Sequence, residues 1–181
     1  MLYFMKPLPT GKIDVTEWSP FIKNQWVRKH FMYFVYCLQA VLLILSILFG
    51  VWNFSNVFIK IVLLIGTYII HELLHTIVIC KVGDISITHS GIFLWITSGA
   101  VLTKSRFFVF MSLPFIVLTL IPAILCIFLS GEAWNIACYI AWLNAIIAGA
   151  DIINTVLIAI KPKKSLFYRG YYKADSTTSK P

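Results

Sequence analysis

The chain has 181 residues, of which 60% are hydrophobic and 12% charged, with a mean hydropathy of +0.88 and a formal net charge of +8. Soluble domains carry about 25% charged residues, so this chain lacks the polar surface that water demands and a soluble globular class is excluded. Its basic excess is distributed around apolar stretches in a way that excludes a nucleic-acid role as well, as the placement below makes clear.

Residues 1–30 carry Pro7, Pro9, Gly11 and Pro20 among mixed charges. They read as an irregular arm ending in an amphipathic stretch from Trp18 to Trp26, whose tryptophans suit a membrane interface. The first apolar stretch, Phe31 to Trp52, holds Gln39 and Ser46 as its clearly polar residues. A helix of roughly 20 residues crosses a bilayer, and this stretch reaches that length. It starts too late and runs too long for a cleaved signal peptide, and no small-x-small site follows it, so the arm is expected to remain in the mature protein.

A second apolar stretch covers Val57 to Cys80. The segment after it, Val82 to Ser105, contains Ile85-Ser86-Ile87-Thr88-His89, a Ser90-Gly91 break, and Ile92-Phe93-Leu94-Trp95-Ile96-Thr97. β-Branched and aromatic enrichment with partial alternation predicts a short β-hairpin or a membrane-dipping loop. The third stretch, Phe107 to Leu129, contains Pro114 and Pro122. These read as kinks inside one span, because neighbouring helices in a bilayer can re-satisfy the backbone groups that a proline frees. The fourth stretch runs from about Ala133 to Ile160, and residues 161–181 form a polar tail. The expected fold is an all-α membrane protein: a bundle of four transmembrane helices over residues 31–160, with a hairpin-like segment between helices two and three.

Lys6, Lys12, Lys23, Arg28 and Lys29 precede the first stretch, Lys81, Lys104 and Arg106 flank the central segment, and Lys161, Lys163, Lys164, Arg169 and Lys173 follow the last. The short connections Asn53–Asn56 and Ser130–Gly131 carry no basic residue. The positive-inside rule then predicts that both termini and the central segment are cytoplasmic, with the basic residues against anionic lipid heads of the bilayer. Cys37, Cys80, Cys126 and Cys138 all lie in or at the ends of apolar stretches without a C-x-x-C pair. They read as small hydrophobes, and neither a disulfide framework nor a cysteine zinc site is expected.

Chemistry concentrates in His71-Glu72-Leu73-Leu74-His75. An ionisable group at a membrane helix centre costs roughly 2.5–3.5 kcal/mol on insertion scales, so it is rare and usually functional. Here three fall within five positions. Histidines at i and i+4 project from one helix face and can take two tetrahedral positions on Zn²⁺. Glu72 beside them can act on water as general base and then as general acid. A catalytic zinc needs a third protein ligand and an open position, and Asp151 is the candidate. It lies nine residues before the end of the fourth stretch, while His71 and His75 lie nine and five before the end of the second. At 1.5 Å per residue the three sit at nearly one depth. His89 is the rival ligand, ranked lower because it falls in the central segment.

Asn144 and Asn154 lie on the Asp151 face, seven before and three after it. Either could hydrogen-bond a ligand or stabilise a developing oxyanion, and a helix–helix hydrogen bond is the plainer role. Ala141, Ala145 and Ala148 would let that helix pack closely. The same polar cluster could instead be a His/Glu hydrogen-bond group, the proton path of a transporter or proton-coupled carrier, or the site of a catalytically silent zinc scaffold.

A mid-span HELLH, a following segment of strand character, and an Asp in a later span preceded by an Asn resemble the site-2-protease class of intramembrane metalloproteases. The resemblance is most specific to the small bacterial four-span proteins described as putative zincin peptidases. It covers roughly residues 30–160. Site-2 proteases usually show Asn, Pro and then Leu-Asp-Gly, whereas this chain reads Asn144-Ala-Ile-Ile-Ala-Gly-Ala-Asp151-Ile, without the proline or the trailing glycine. The resemblance implies a zinc endopeptidase of a bacterial plasma membrane, acting on a membrane protein or peptide. It also implies that Glu72 and Asn144 are catalytic, that His71, His75 and Asp151 hold the metal, and that Ile85–Thr97 pairs with an extended substrate by β-augmentation.

Overall fold

The computed structural model describes residues 2–6, 8, 13–53, 56–90 and 93–174. The chain is mostly helical with two small sheets. In order it runs β1 (Leu2–Phe4), β2 (Ser19–Pro20), α1 (Gln25–Lys29), α2 (Phe31–Leu48), α3 (Val57–Ile79), β3 (Ile85–Ser90), β4 (Phe93–Ser98), β5 (Leu102–Thr103) and α4 (Lys104–Phe115). A π-helical turn (Ile116–Leu120) leads into α5 (Ile121–Leu125), then come α6 (Gly131–Ile147), α7 (Gly149–Ala159), β6 (Leu166–Tyr168) and β7 (Tyr171–Lys173).

The helices are set by composition and punctuation. Asn56 caps α3 by accepting from the backbone N–H groups of Phe58 and Ile59, satisfying donors that a helix start leaves free. Past the end of α2, Gly50 turns the chain at φ +67°, a left-handed conformation that glycine adopts without strain. On α3, the buried residues Thr67, His71, His75 and Ile79 recur every four positions, one stripe down a helix. The opposite faces carry exposed Phe58, Ile61, Ile65, Ile69, Leu73 and Ile77. Apolar outside and polar inside is the reverse of a water-soluble helix, and suits a lipid solvent.

Three helical runs are long and apolar enough to cross a membrane: Phe31–Leu48, Val57–Ile79 and Lys104–Leu125. The third includes both prolines and the π turn, so Pro114 and Pro122 interrupt the helix without ending the span. The expected fourth helix differs. It is broken at Ala148 into α6 and α7, which bend by 65°. At the break, the side-chain amide of Gln39 on α2 donates to the Ile146 carbonyl at 3.0 Å. A Cβ on Gly149 would stand 2.8 Å from Gln39 Cγ, so this approach needs glycine there.

The central segment is a hairpin, with β3 and β4 antiparallel from Ile85↔Ser98 to Ser90↔Phe93. Residues 91–92, which include the expected Gly91 break, lie outside the described residues. The arm, read from sequence as irregular, and the polar tail both contribute strands. β1 pairs parallel with β3, giving the order β1-β3-β4, and a second sheet has the order β2-β7-β6-β5. Arg169 at φ 44° and Gly170 at φ 82° form the two-residue turn between β6 and β7, a left-handed pair that matches hairpin twist. Both sheets therefore draw on the segments that join one end of the helices. There Ile79, Ile85, Leu102 and Phe110 form a shared core. Lys104 Nζ ties α4 to the end of α7 through the Ala159 carbonyl at 2.7 Å and the Lys161 carbonyl, placing a cation where a helix ends in free acceptors.

Candidate metal centre

Three side chains from two helices, α3 and α7, converge beside the break between α6 and α7. His71 Nε2 lies 3.1 Å and His75 Nε2 3.2 Å from Asp151 Oδ2, and the two Nε2 atoms lie 3.2 Å apart. The histidines are 3% and 5% exposed. Asp151 stands in the first turn of α7, where the positive end of a helix favours a carboxylate. Among the described residues its ion-pair partners are the two histidines.

The far side of each ring is committed. His75 Nδ1 donates to the Phe110 carbonyl at 2.6 Å. That carbonyl is available because residue 114 is proline: the helical donor four residues on has no N–H. His71 Nδ1 meets Asn144 Oδ1 at 2.9 Å. The orientation of the Asn144 amide follows from its other contacts, since Nδ2 faces the Pro114 carbonyl at 3.1 Å and Thr119 Oγ1 at 2.9 Å. A carbonyl can only accept, so Nδ2 is the donor end and Oδ1 the acceptor. Both Nδ1 atoms then carry the hydrogen, and both Nε2 lone pairs point at one place.

A cleft of about 420 Å³ opens on this cluster. Its apolar wall includes Met32, Val35, Leu43, Ile96, Met111 and Ile147, and Gln39, Tyr68, Glu72 and Asn154 are the further polar residues on it. Ile96 belongs to β4, an edge strand of its sheet among the described residues.

The chain matches the family model described as putative zincin peptidase over residues 64–166, more than half its length. It belongs to the putative zincin peptidase family. No curated protein and no solved structure matches it. The family match begins within α3 and ends at the start of β6, so it takes in HELLH, the hairpin, both prolines, Asn144 and Asp151.

A zincin family implies zinc as the usual metal, and the donor set fits one. Ligand atoms 2.0–2.1 Å from a tetrahedral zinc stand about 3.3 Å from each other, close to the three observed separations of 3.1–3.2 Å. Two neutral imidazoles and one carboxylate also form a ligand set known for zinc.

Of the residues singled out from sequence, His71, His75 and Asp151 meet, and Glu72 and Asn154 line the same cleft. Asn144 is fully buried, and its amide hydrogens are directed at Pro114 and Thr119. It stands behind His71, not in the cleft. His89 pairs with Leu94 in the hairpin, and its side chain lies outside the described residues. Sequence reasoning missed the Phe110 carbonyl, Thr119 and Gln39. The first had a readable signal, a proline four residues after Phe110 within an apolar span; the other two had none beyond being polar residues in apolar surroundings.

Proposed function

We propose that this zincin-family chain is a zinc-dependent endopeptidase that hydrolyses peptide bonds in or beside the membrane. The observation that carries the reading is the trio of His71 Nε2, His75 Nε2 and Asp151 Oδ2, three acceptors within 3.2 Å of one another, on a cleft that also holds Glu72. Zinc held there would acidify water toward a pKa of about 7 and polarise a carbonyl. Glu72 takes the proton of the attacking water on its carboxylate and returns it to the leaving amine nitrogen. Asn144 and the Phe110 carbonyl hold the two imidazoles in one tautomer and orientation, as positioning groups. Asn154, one helical turn beyond Asp151, offers an amide to the substrate carbonyl. The apolar cleft walls exclude bulk water and accept the side chains of a membrane peptide.

β4 supports the substrate side of this reading. Among the described residues it is an edge strand, and its Ile96 lines the cleft. A polypeptide must be extended before an endopeptidase can reach its backbone, so the substrate would lie along β4. The placement of basic residues supports an orientation with the sheets and both termini on the cytoplasmic side of the membrane, and the resemblance makes that membrane a bacterial plasma membrane.

The test is metal analysis of the detergent-purified chain after zinc supply, paired with cleavage of a membrane-tethered reporter. Near-stoichiometric zinc that is lost in His71→Ala and Asp151→Asn is the expected result. Wild-type protein that takes up no zinc would overturn the proposal.

A further inference from the structure

At the ends of α5 and α6 remote from the sheets, two cysteines touch. Cys126 follows the last residue of α5, Cys138 sits within the second turn of α6, and their Sγ atoms are 3.0 Å apart. Their sequence separation of 12 hides the contact, which appears only when α6 folds back on α5. Cys37 on α2 and Cys80, just past the end of α3, are exposed and stand apart from this contact.

The contact has a partner deeper along the same two spans. Asn144 Nδ2 bonds Thr119 Oγ1 at 2.9 Å. Thr119 precedes Cys126 by seven residues and Asn144 follows Cys138 by six, so the two contacts are rungs of one antiparallel ladder about 10 Å apart at 1.5 Å per residue. A link at Cys126–Cys138 therefore fixes the helix pair that carries the amide behind His71.

We propose that Cys126 and Cys138 are a modification site, forming a disulfide on the non-cytoplasmic side of the membrane that staples α5 to α6. Disulfides form and persist in that kind of compartment, and the proposal rests on the orientation given above. One cysteine thiolate attacks an extracytoplasmic disulfide oxidant to give a mixed disulfide, and the second attacks that mixed disulfide and releases the oxidant as its dithiol. One S–S bond forms in the chain, one breaks in the oxidant, and both thiol protons end on the oxidant's reduced sulfurs.

Cells quenched in denaturant with N-ethylmaleimide provide the test, read by intact mass of the purified chain. Two adducts are expected before reduction, on Cys37 and Cys80, and four after reduction and renewed alkylation. Cys126→Ser should give three adducts with no gain on reduction, and a reductant should lower the unfolding temperature of the wild type but not of that variant. Four adducts before reduction would overturn the disulfide. A Ser130→Cys change in a chain lacking both thiols, probed on intact cells with a membrane-impermeant maleimide, reads the orientation separately. Absence of labelling at position 130 would overturn the compartment on which the proposal depends, whereas labelling there with four free native thiols would overturn the link itself.

Discussion

Truncating Asn144 to alanine separates the two roles that its position in the sequence left open. Its Oδ1 holds His71 Nδ1 at 2.9 Å, while Nδ2 serves Pro114 and Thr119. Without the acceptor, the His71 ring is free to rotate and to move its hydrogen to Nε2, where a metal would bind. Removing such an outer partner typically costs 10–100-fold in metal affinity, which is about 1.4–2.7 kcal/mol at 1.4 kcal/mol per tenfold change. Folding should suffer too, because three hydrogen bonds disappear from a fully buried site, at about 1 kcal/mol each. The assay is competition for zinc against a chelator of known affinity, with thermal unfolding run in parallel at saturating zinc. Asn144→Asp keeps an acceptor for His71 but loses the donors to Pro114, so it should recover most of the metal affinity and little of the stability. Should Asn144→Ala bind zinc as tightly as the wild type yet lose peptide cleavage, the reasoning is refuted and the amide acts on substrate.

Three further outcomes follow from the same geometry. Glu72→Gln should retain its zinc and lose about 10²–10⁴-fold in cleavage rate, the usual contribution of a positioned general base; a variant that still cleaves at the wild-type rate would remove Glu72 from the chemistry. Pro114→Ala restores an N–H that competes for the Phe110 carbonyl, so zinc affinity should fall by up to about tenfold, and unchanged affinity in the chelator assay would show that the freed carbonyl is immaterial. Gly149→Ala places a Cβ 2.8 Å from Gln39 Cγ, an overpacking expected to cost about 1–3 kcal/mol. Adding Gln39→Ala should restore much of that in thermal unfolding, and a double variant no more stable than Gly149→Ala would break the argument.

The histidine pair was legible because i, i+4 spacing fixes a shared face whatever else the fold does. Asp151 was reached by counting residues along a helix taken as straight. The break at Ala148 gives no warning in the sequence, since Ala141, Ala145 and Ala148 read as a small flank for close packing. That break also explains why Asn144 and Asp151, on one face of an ideal helix, end up on different sides of His71. Strands of two or three residues have no periodicity to detect. The pairing of Leu2 with Ile85, or of Ser19 with Tyr172, is set by which chain segments the helices bring to one end. The hairpin of β3 and β4 was visible because it is local and long enough to alternate.

The hydrogen-bond pattern bears on the choice between a metal and a proton path. A proton carrier works by letting an imidazole accept on one nitrogen and release from the other. Here both Nδ1 atoms face groups that can only accept, the Phe110 carbonyl and an amide oxygen held in place by Pro114 and Thr119. Neither ring has an onward route, and both present their remaining lone pair to Asp151 Oδ2. One proton shared among three acceptors bridges only two of them and leaves the third repelled at about 3 Å, where poor solvation strengthens the repulsion. A divalent cation would be held by all three together, on the cleft that Glu72 and Asn154 also line. The arrangement therefore favours a resident metal, and chelation should destabilise the folded chain by removing the charge that lets these three groups stay buried together.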